Sequence, residues 1–165
     1  MARTSGSHPG NRSSILRGVT KMIENFLKLS KEYEWSPGIK QDYEIIGNEN
    51  NKVGEISIVR FSVLQPVETQ WLYLGKIEIL KNERGKGWGY KTIQELNKLL
   101  EAEGRNGVLK NRTKRDEVSK NYYQQLGWKK IDRVGGPWEF KIVKPVSHFT
   151  ARNVVENIVK NNFTK

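Results

Sequence analysis

Apolar positions along the chain change period several times, and each change predicts an element. Leu16, Val19, Ile23, Phe26 and Leu27 recur at helical spacing from Ile15 to about Ser30. Ser13 or Ser14 is placed to cap that helix, and Ser36-Pro37-Gly38 to break it. Glu24 within it, and Glu32 and Glu34 just beyond, argue for a core-facing helix over one lying on an anionic membrane. The pattern then turns strand-like. Asp42–Ile46 reads as a short strand, and Lys52–Leu64 as a long one carrying Val53, Ile56, Ile58, Val59, Phe61 and Val63. The polar Gly47–Asn51 before it reads as a hairpin turn, and Pro66 closes it. Thr69–Leu80 is the third strand, almost continuously apolar from Trp71.

Beyond Leu80 the pattern bears on chemistry. A polar turn, Lys81-Asn82-Glu83, leads into Arg84-Gly85-Lys86-Gly87-Trp88-Gly89. Ile93, Leu96, Leu99 and Leu100 then make the apolar stripe of a helix over 89–103, which Gly104 ends. Strand, glycine-rich basic turn and helix start form an arrangement suited to phosphate. Glycines let backbone approach an anion, and the first N–H groups of a helix have no internal partner. The plain alternative is a flexible turn, against which the flanking strand and helix weigh. A P-loop would place Gly-Lys-Ser/Thr at the helix start, whereas Gly89 precedes Tyr90-Lys91. A dinucleotide fingerprint, with its acid about twenty residues on, does not fit either.

Downstream, Gly107–Lys110 is a brief strand, which a right-handed crossover sets parallel to its predecessor. Residues 115–126 read as a helix with Val118, Tyr122 and Leu126 on one face and Gly127 as its end. Trp128–Val134 and Trp138–Val143 read as two strands about Gly135-Gly136-Pro137, and Thr150–Lys160 as a last amphipathic helix. The sum is a mixed α/β (α+β) domain with a mostly antiparallel sheet, flanking helices and an extra C-terminal helix. Residues 1–14 read as a basic disordered tail, and 15–165 as a single domain.

Composition narrows the chemistry. The absence of Cys among 165 residues excludes disulfides, thiolate catalysis and Cys-based zinc sites. With only His8 and His148, no multi-histidine metal site is expected. No stretch is long and apolar enough to span a membrane, which makes cytoplasmic the default expectation. A net charge of +11 favours anionic partners without choosing among nucleotide, nucleic acid and acidic protein.

Two motifs in order carry a resemblance. Arg84, Gly87 and Gly89 match Arg-x-x-Gly-x-Gly at the start of the long helix. Asp116, Ser119, Tyr122, Tyr123, Gly127 and Trp128 are similar to Asn-x-x-Ala-x-x-aromatic-Tyr-x-x-x-Gly-aromatic, with Asp116 and Ser119 departing from Asn and Ala. Together they resemble the GCN5-related N-acetyltransferases, the GNAT superfamily, over about residues 40–143.

The resemblance implies an acetyl-CoA-dependent N-acetyltransferase that transfers acetyl directly to a primary amine, with acetyl-CoA as co-substrate and no metal. It implies that Arg84, Gly85, Lys86, Gly87, Trp88 and Gly89 wrap the pyrophosphate. Ile79, followed by Leu80 and Lys81, would expose backbone to the pantetheine arm, where an N–H also polarises the thioester carbonyl. Asp116 holds the position of the family's CoA-side asparagine. Tyr123 takes the place of the tyrosine acid that protonates the departing thiolate. Helical spacing groups Tyr122 with the core positions and turns Tyr123 elsewhere. Glu78 is the candidate base, either facing the cleft or salt-bridged in solvent on the opposite side; Tyr73, Glu68 and Asp42 are weaker candidates. Lys110, Arg112, Lys114 and Arg115 suit the 3′-phosphate of CoA or a solvated basic loop. The acceptor is a small molecule, a peptide or an RNA-linked amine, with contact to a polyanion through the basic surface, no membrane, and a monomer or homodimer. The other reading is a non-catalytic GNAT-fold binding protein that engages nucleic acid or an acidic protein.

Overall fold

The computed structural model describes residues 25–35, 38–61, 71–112 and 118–160. Its centre is a seven-stranded sheet in the order β1-β2-β3-β4-β5-β7-β6. The strands are β1 (Leu27–Trp35), β2 (Gly38–Ile46), β3 (Lys52–Phe61), β4 (Trp71–Ile79), β5 (Asn106–Lys110), β6 (Lys129–Lys130) and β7 (Trp138–Lys141). The first four form an antiparallel meander, β5 lies parallel to β4, and β7 and β6 return antiparallel. Three helices are described: α1 (Trp88–Glu103), α2 (Val118–Gln125) and α3 (His148–Lys160). This is the mixed, mostly antiparallel sheet with flanking helices and a C-terminal helix that the hydrophobic pattern predicts. Among the described residues no helix is long and apolar enough to cross a membrane.

Each face of the sheet has its own core. On one face Ile56, Ile58, Leu72 and Leu74 meet Ile93, Leu96 and Leu100 of α1, joined by Leu109, Leu126 and Trp128. On the other, Trp71, Tyr73, Val108 and Phe140 are covered by Ala151, Val154, Val155 and Ile158 of α3. A strand buried on both sides reads as a continuous apolar run, which is why Trp71–Leu74 shows no alternation. Asn106, fully buried at the start of β5, fastens the approach to α3. Its Oδ1 accepts from the N–H groups of Val143 and Lys144 at 2.8 Å each, and its amide donates to the Lys144 carbonyl at 2.9 Å.

Two expected elements are corrected. Helix was expected as far as Ser30, but residues 25–26 end it and Leu27 opens β1. Cross-strand partners decide this, since Lys28 lies opposite Glu44, Lys31 opposite Asp42, and Glu32 opposite Gln41. Positions 13–24 lie outside the described residues. The strand expected over Trp128–Val134 shrinks to two residues, because the Val134 N–H turns back to the Ile131 carbonyl at 3.1 Å in a 3₁₀ turn.

Candidate active site

The site begins where two parallel strands part. β4 pairs with β5 only over Trp71–Leu74, opposite Asn106–Leu109. From Gly75 to Ile79, β4 keeps β3 as a partner while its other edge faces no strand among the described residues. Two features open the gap. The β3–β4 register slips so that Ser57 faces Lys76 and Ile58 faces Leu74, leaving Gly75 as the bulged residue. Beyond Lys110, the Asn111 N–H donates to the Pro137 carbonyl at 2.6 Å, so the end of β5 follows β7 away from β4. The open edge of β4 is a row of backbone donors and acceptors available to an extended ligand.

The glycine-rich turn stands at the far end of that edge. Gly85 and Gly87 have φ of 81° and 84°, a region costly for any residue with a Cβ. A Cβ built on either would meet nothing within 4 Å, so both face open space. Gly87 caps α1 without a side-chain hydrogen bond, and no acid lies in the first helical turn. The N–H groups there are free of the carboxylates that would compete with an anion. Arg84 donates from Nε to the Ile79 carbonyl at 3.0 Å, tying the turn back to the end of β4. Glu83, read in the sequence only as part of a polar turn, accepts from Lys86 at 3.0 Å and from the Trp88 indole at 3.1 Å. The Lys86 ammonium beside it lowers the Glu83 pKa. Trp88 stacks with Phe26 at 6.4 Å, and Lys91 lies 5.0 Å and 5.4 Å above the two rings. The expected phosphate residues therefore come together with Ile79 and Leu80, while Lys81 is exposed in the 3₁₀ turn that links them.

The tyrosines lean over the same place from α2. Asn97 of α1 holds that element, donating to the Leu126 carbonyl at 2.7 Å and accepting from the Trp128 indole at 2.9 Å. Tyr122 and Tyr123 both pack against the α1-side core, edge to face at 5.1 Å. Helical spacing had assigned Tyr122 to core packing alone, yet its hydroxyl lies 3.2 Å from where a Cβ on Gly89 would stand. It thus reaches the first turn of α1. Tyr123 turns toward Trp128, and the charge of Glu139 acts on it. Burial raises the pKa of both phenols, which stay protonated at neutral pH.

Glu139 is the acid that sequence reasoning missed. In Trp138-Glu139-Phe140 the strand period sends both aromatics to the α3 side and Glu139 to the α1 side, where solvent was the natural expectation. It is instead 7% exposed, its pKa is raised by burial, and its Oε2 has no hydrogen-bond partner among the described residues. Glu78, the candidate base, lies on the same face as Ser57 and Lys76, opposite Glu55 on β3. It is exposed and ion-paired with Lys76 at 2.5 Å. Lys110 and Arg112 do not join the phosphate turn: Lys110 lies 5.8 Å over the Trp138 ring, and Arg112 is near enough to Tyr73 for its charge to act on that phenol, both on the α3 side. Asp116, Lys114, Arg115 and Glu68 lie outside the described residues, as do the side chains of Ser119 and Lys120.

No protein-family model and no curated protein matches the chain. Solved structures do. A putative acetyl transferase from Pyrococcus furiosus is 18% identical with a TM-score of 0.45, over 74% of this chain and 90% of that one. A GNAT family N-acetyltransferase from Escherichia coli in complex with CoA is 11% identical with a TM-score of 0.49, over 87% and 86%. The ribosomal-protein-S18-alanine N-acetyltransferase of Escherichia coli is 13% identical with a TM-score of 0.47, over 87% and 95%. The structural neighbours thus include GNAT acetyltransferases, the family that the two motifs resemble. At identities and scores this low, the likeness carries nothing about chemistry.

Proposed function

We propose that the chain is an acetyl-CoA-dependent N-acetyltransferase of the GNAT type. The observation that carries this reading is the open edge of β4 ending on a glycine-lined, acid-free helix start. An extended ligand arm with a pyrophosphate at one end has that polarity. The fit is supported by the empty space at Gly85 and Gly87, where any side chain would intrude on the ligand. In this reading the N–H groups of Gly87–Gly89 hold the pyrophosphate, and the free edge of Gly75–Ile79 pairs with the pantetheine amides. Lys81 and Lys86 add charge, and Arg84 keeps the turn fixed against the strand. Trp88 supports the turn from behind through Glu83. The position of Asp116 beside the cofactor belongs to the same reading.

Acetyl-CoA, when bound, supplies an activated acyl carbon, to which the amine nitrogen bonds as the carbon–sulfur bond breaks. The chain's residues manage the rest. An amide N–H at the parting of β4 and β5 stabilises charge developing on the carbonyl oxygen. One proton leaves the amine and one must reach the departing sulfur. Tyr123 supplies the second, since its phenol is held protonated. Lys76 already holds the Glu78 carboxylate in solvent, so we place the proton acceptor elsewhere on the α3 side of the sheet.

The reading is tested by melting the protein with and without acetyl-CoA. A dose-dependent rise in Tm is expected, because a ligand of the folded state alone stabilises by mass action. Gly87→Glu should remove that rise while leaving a cooperative melt. A wild-type curve insensitive to millimolar acetyl-CoA would end the proposal.

A further inference from the structure

The face of the sheet opposite the phosphate turn carries a second feature that the donor site does not use. Across β1–β4, cross-strand pairing lines up Lys31, Asp42, Ser57 and Lys76 in one row. The next row runs Tyr33, Lys40, Val59 and Tyr73. In an antiparallel sheet directly opposite residues share a face, so these side chains, apart from Tyr73 buried under α3, rise together as the floor of one cleft. The structure shows that cleft, with a volume of about 650 Å³, and Gly75 and Arg112 are among the residues that line it. Gly75 is the first β4 residue past the last β4–β5 pair, and Arg112 follows the end of β5. The cleft therefore opens on the gap between the two strands.

Its charge has a pattern. Lys31, Lys40, Lys76 and Arg112 line it, against the carboxylates of Asp42 and Glu55. Lys52 already holds Glu55 at 2.7 Å, and Lys40 lies a loose 3.9 Å from Asp42. Ser57 Oγ, beside Asp42 in the row, is buried without a hydrogen-bond partner among the described residues. A buried hydroxyl without a partner is a cost that a bound polar group removes. Lys76 is ion-paired with Glu78 at 2.5 Å, which leaves Asp42 and the unsatisfied hydroxyl among Lys31, Lys40 and Arg112.

The geometry points to this cleft as the acceptor seat, built for a primary amine that stands next to an anionic group, phosphate or carboxylate. The inference rests on the acetyltransferase reading. Asp42 and Ser57 hold the amine toward the gap at Gly75, and Lys31, Lys40 and Arg112 hold the neighbouring anion. A volume of about 650 Å³ suits a small molecule or a chain end and not a long polyanion laid on a flat surface. The same lining repels polycations, so polyamines and lysine-rich tails are poor acceptors.

Matched acceptors differing only in the anion test this: glucosamine against glucosamine 6-phosphate, and glycinamide against glycine, with spermidine as the polycation. Thiol release from acetyl-CoA should show kcat/KM at least tenfold higher for at least one anionic member over its neutral mate, and lowest for spermidine. The pair that responds identifies phosphate or carboxylate. Lys31→Ala with Lys40→Ala should reduce the preference at least fivefold, mainly through KM. The acetyl-CoA melting shift should persist in that variant, because Lys31 and Lys40 lie on β1 and β2, away from the free edge of β4 and the phosphate turn. Equal use of the paired acceptors, preference for spermidine, or neither turnover nor calorimetric binding of the anionic members would overturn the inference. Loss of the wild-type acetyl-CoA shift would instead sink the acetyltransferase reading beneath it.

Discussion

Tyr122 and Tyr123 are neighbours in sequence with different surroundings, and their hydroxyls separate two roles. Tyr122 reaches Gly89, where the missing Cβ leaves room for its oxygen. Tyr123 faces Trp128 under the influence of buried Glu139. If Tyr123 is the acid, Tyr123→Phe lowers kcat by about 10²–10⁴-fold and leaves the acetyl-CoA melting shift near wild type. Tyr122→Phe should weaken that shift instead. Initial rates and melting curves on both variants check the pair. The same burial makes an alkaline prediction. Both phenols are raised above the ordinary value of 10.0. Above pH 10 the unfolded chain loses these protons first while the folded chain still binds them, so stability falls as pH rises. Below pH 10 both states are protonated and the contribution is fully present. Tm should therefore decline above pH 10, together with late phenolate absorbance, and less steeply in Tyr122→Phe. At this scale the sequence was a partial guide. Motif spacing brought out both tyrosines, but helical periodicity could not tell a ring that packs from a hydroxyl that reaches, since each does both. Glu139 carried no signal, because a Glu between two aromatics in a strand reads as solvent-facing.

Among the elements, β5 and its surroundings hold the site open. β5 stays with β7 after Lys110, and Asn106 at its start clamps the segment leading to α3. Replacing Asn106 by Ala leaves two N–H groups and a carbonyl without their partner. The cost should be about 2 to 4 kcal/mol, read as a Tm loss on the order of 5 to 15 °C. Hydrogen exchange should speed up at Val143 and Lys144 before it does in β3 or β4. An unchanged Tm would mean that the connection to α3 is held by something other than this side chain. The strand–turn–helix from Trp71 to Glu103 was legible because each part is specified locally, by an apolar run, glycines and a heptad-like stripe. β1 was not. Leu27 extends a helical spacing by coincidence, and only pairing with β2 makes Leu27–Trp35 extended.

Over the whole molecule, the sheet is a wall between two cores and, in the proposed function, between two tasks. α1 and α2 cover the face that carries the phosphate turn, and α3 covers part of the face that carries the basic cleft. Removing residues 148–165 would bare Trp71, Tyr73, Val108 and Phe140, an apolar patch larger than soluble chains tolerate. The truncated chain is expected in the insoluble fraction; a soluble, cooperatively melting product would show that α3 is an accessory to the fold.

The glycine turn of the proposed donor site was determined by the sequence alone. Glycines at Gly85, Gly87 and Gly89, a strand before them and a helix after them are neighbours in the chain, and neighbours in the chain are what a linear pattern can report. Tertiary structure alone decided the rest. The parting of β4 from β5 depends on a register slip against β3 and on a hydrogen bond to Pro137, and none of these is adjacent in sequence. The row Lys31, Asp42, Ser57 and Lys76 takes one residue from each of four strands. Its charges meet only because cross-strand pairing aligns them, so the proposed acceptor cleft was unreadable until the sheet was formed.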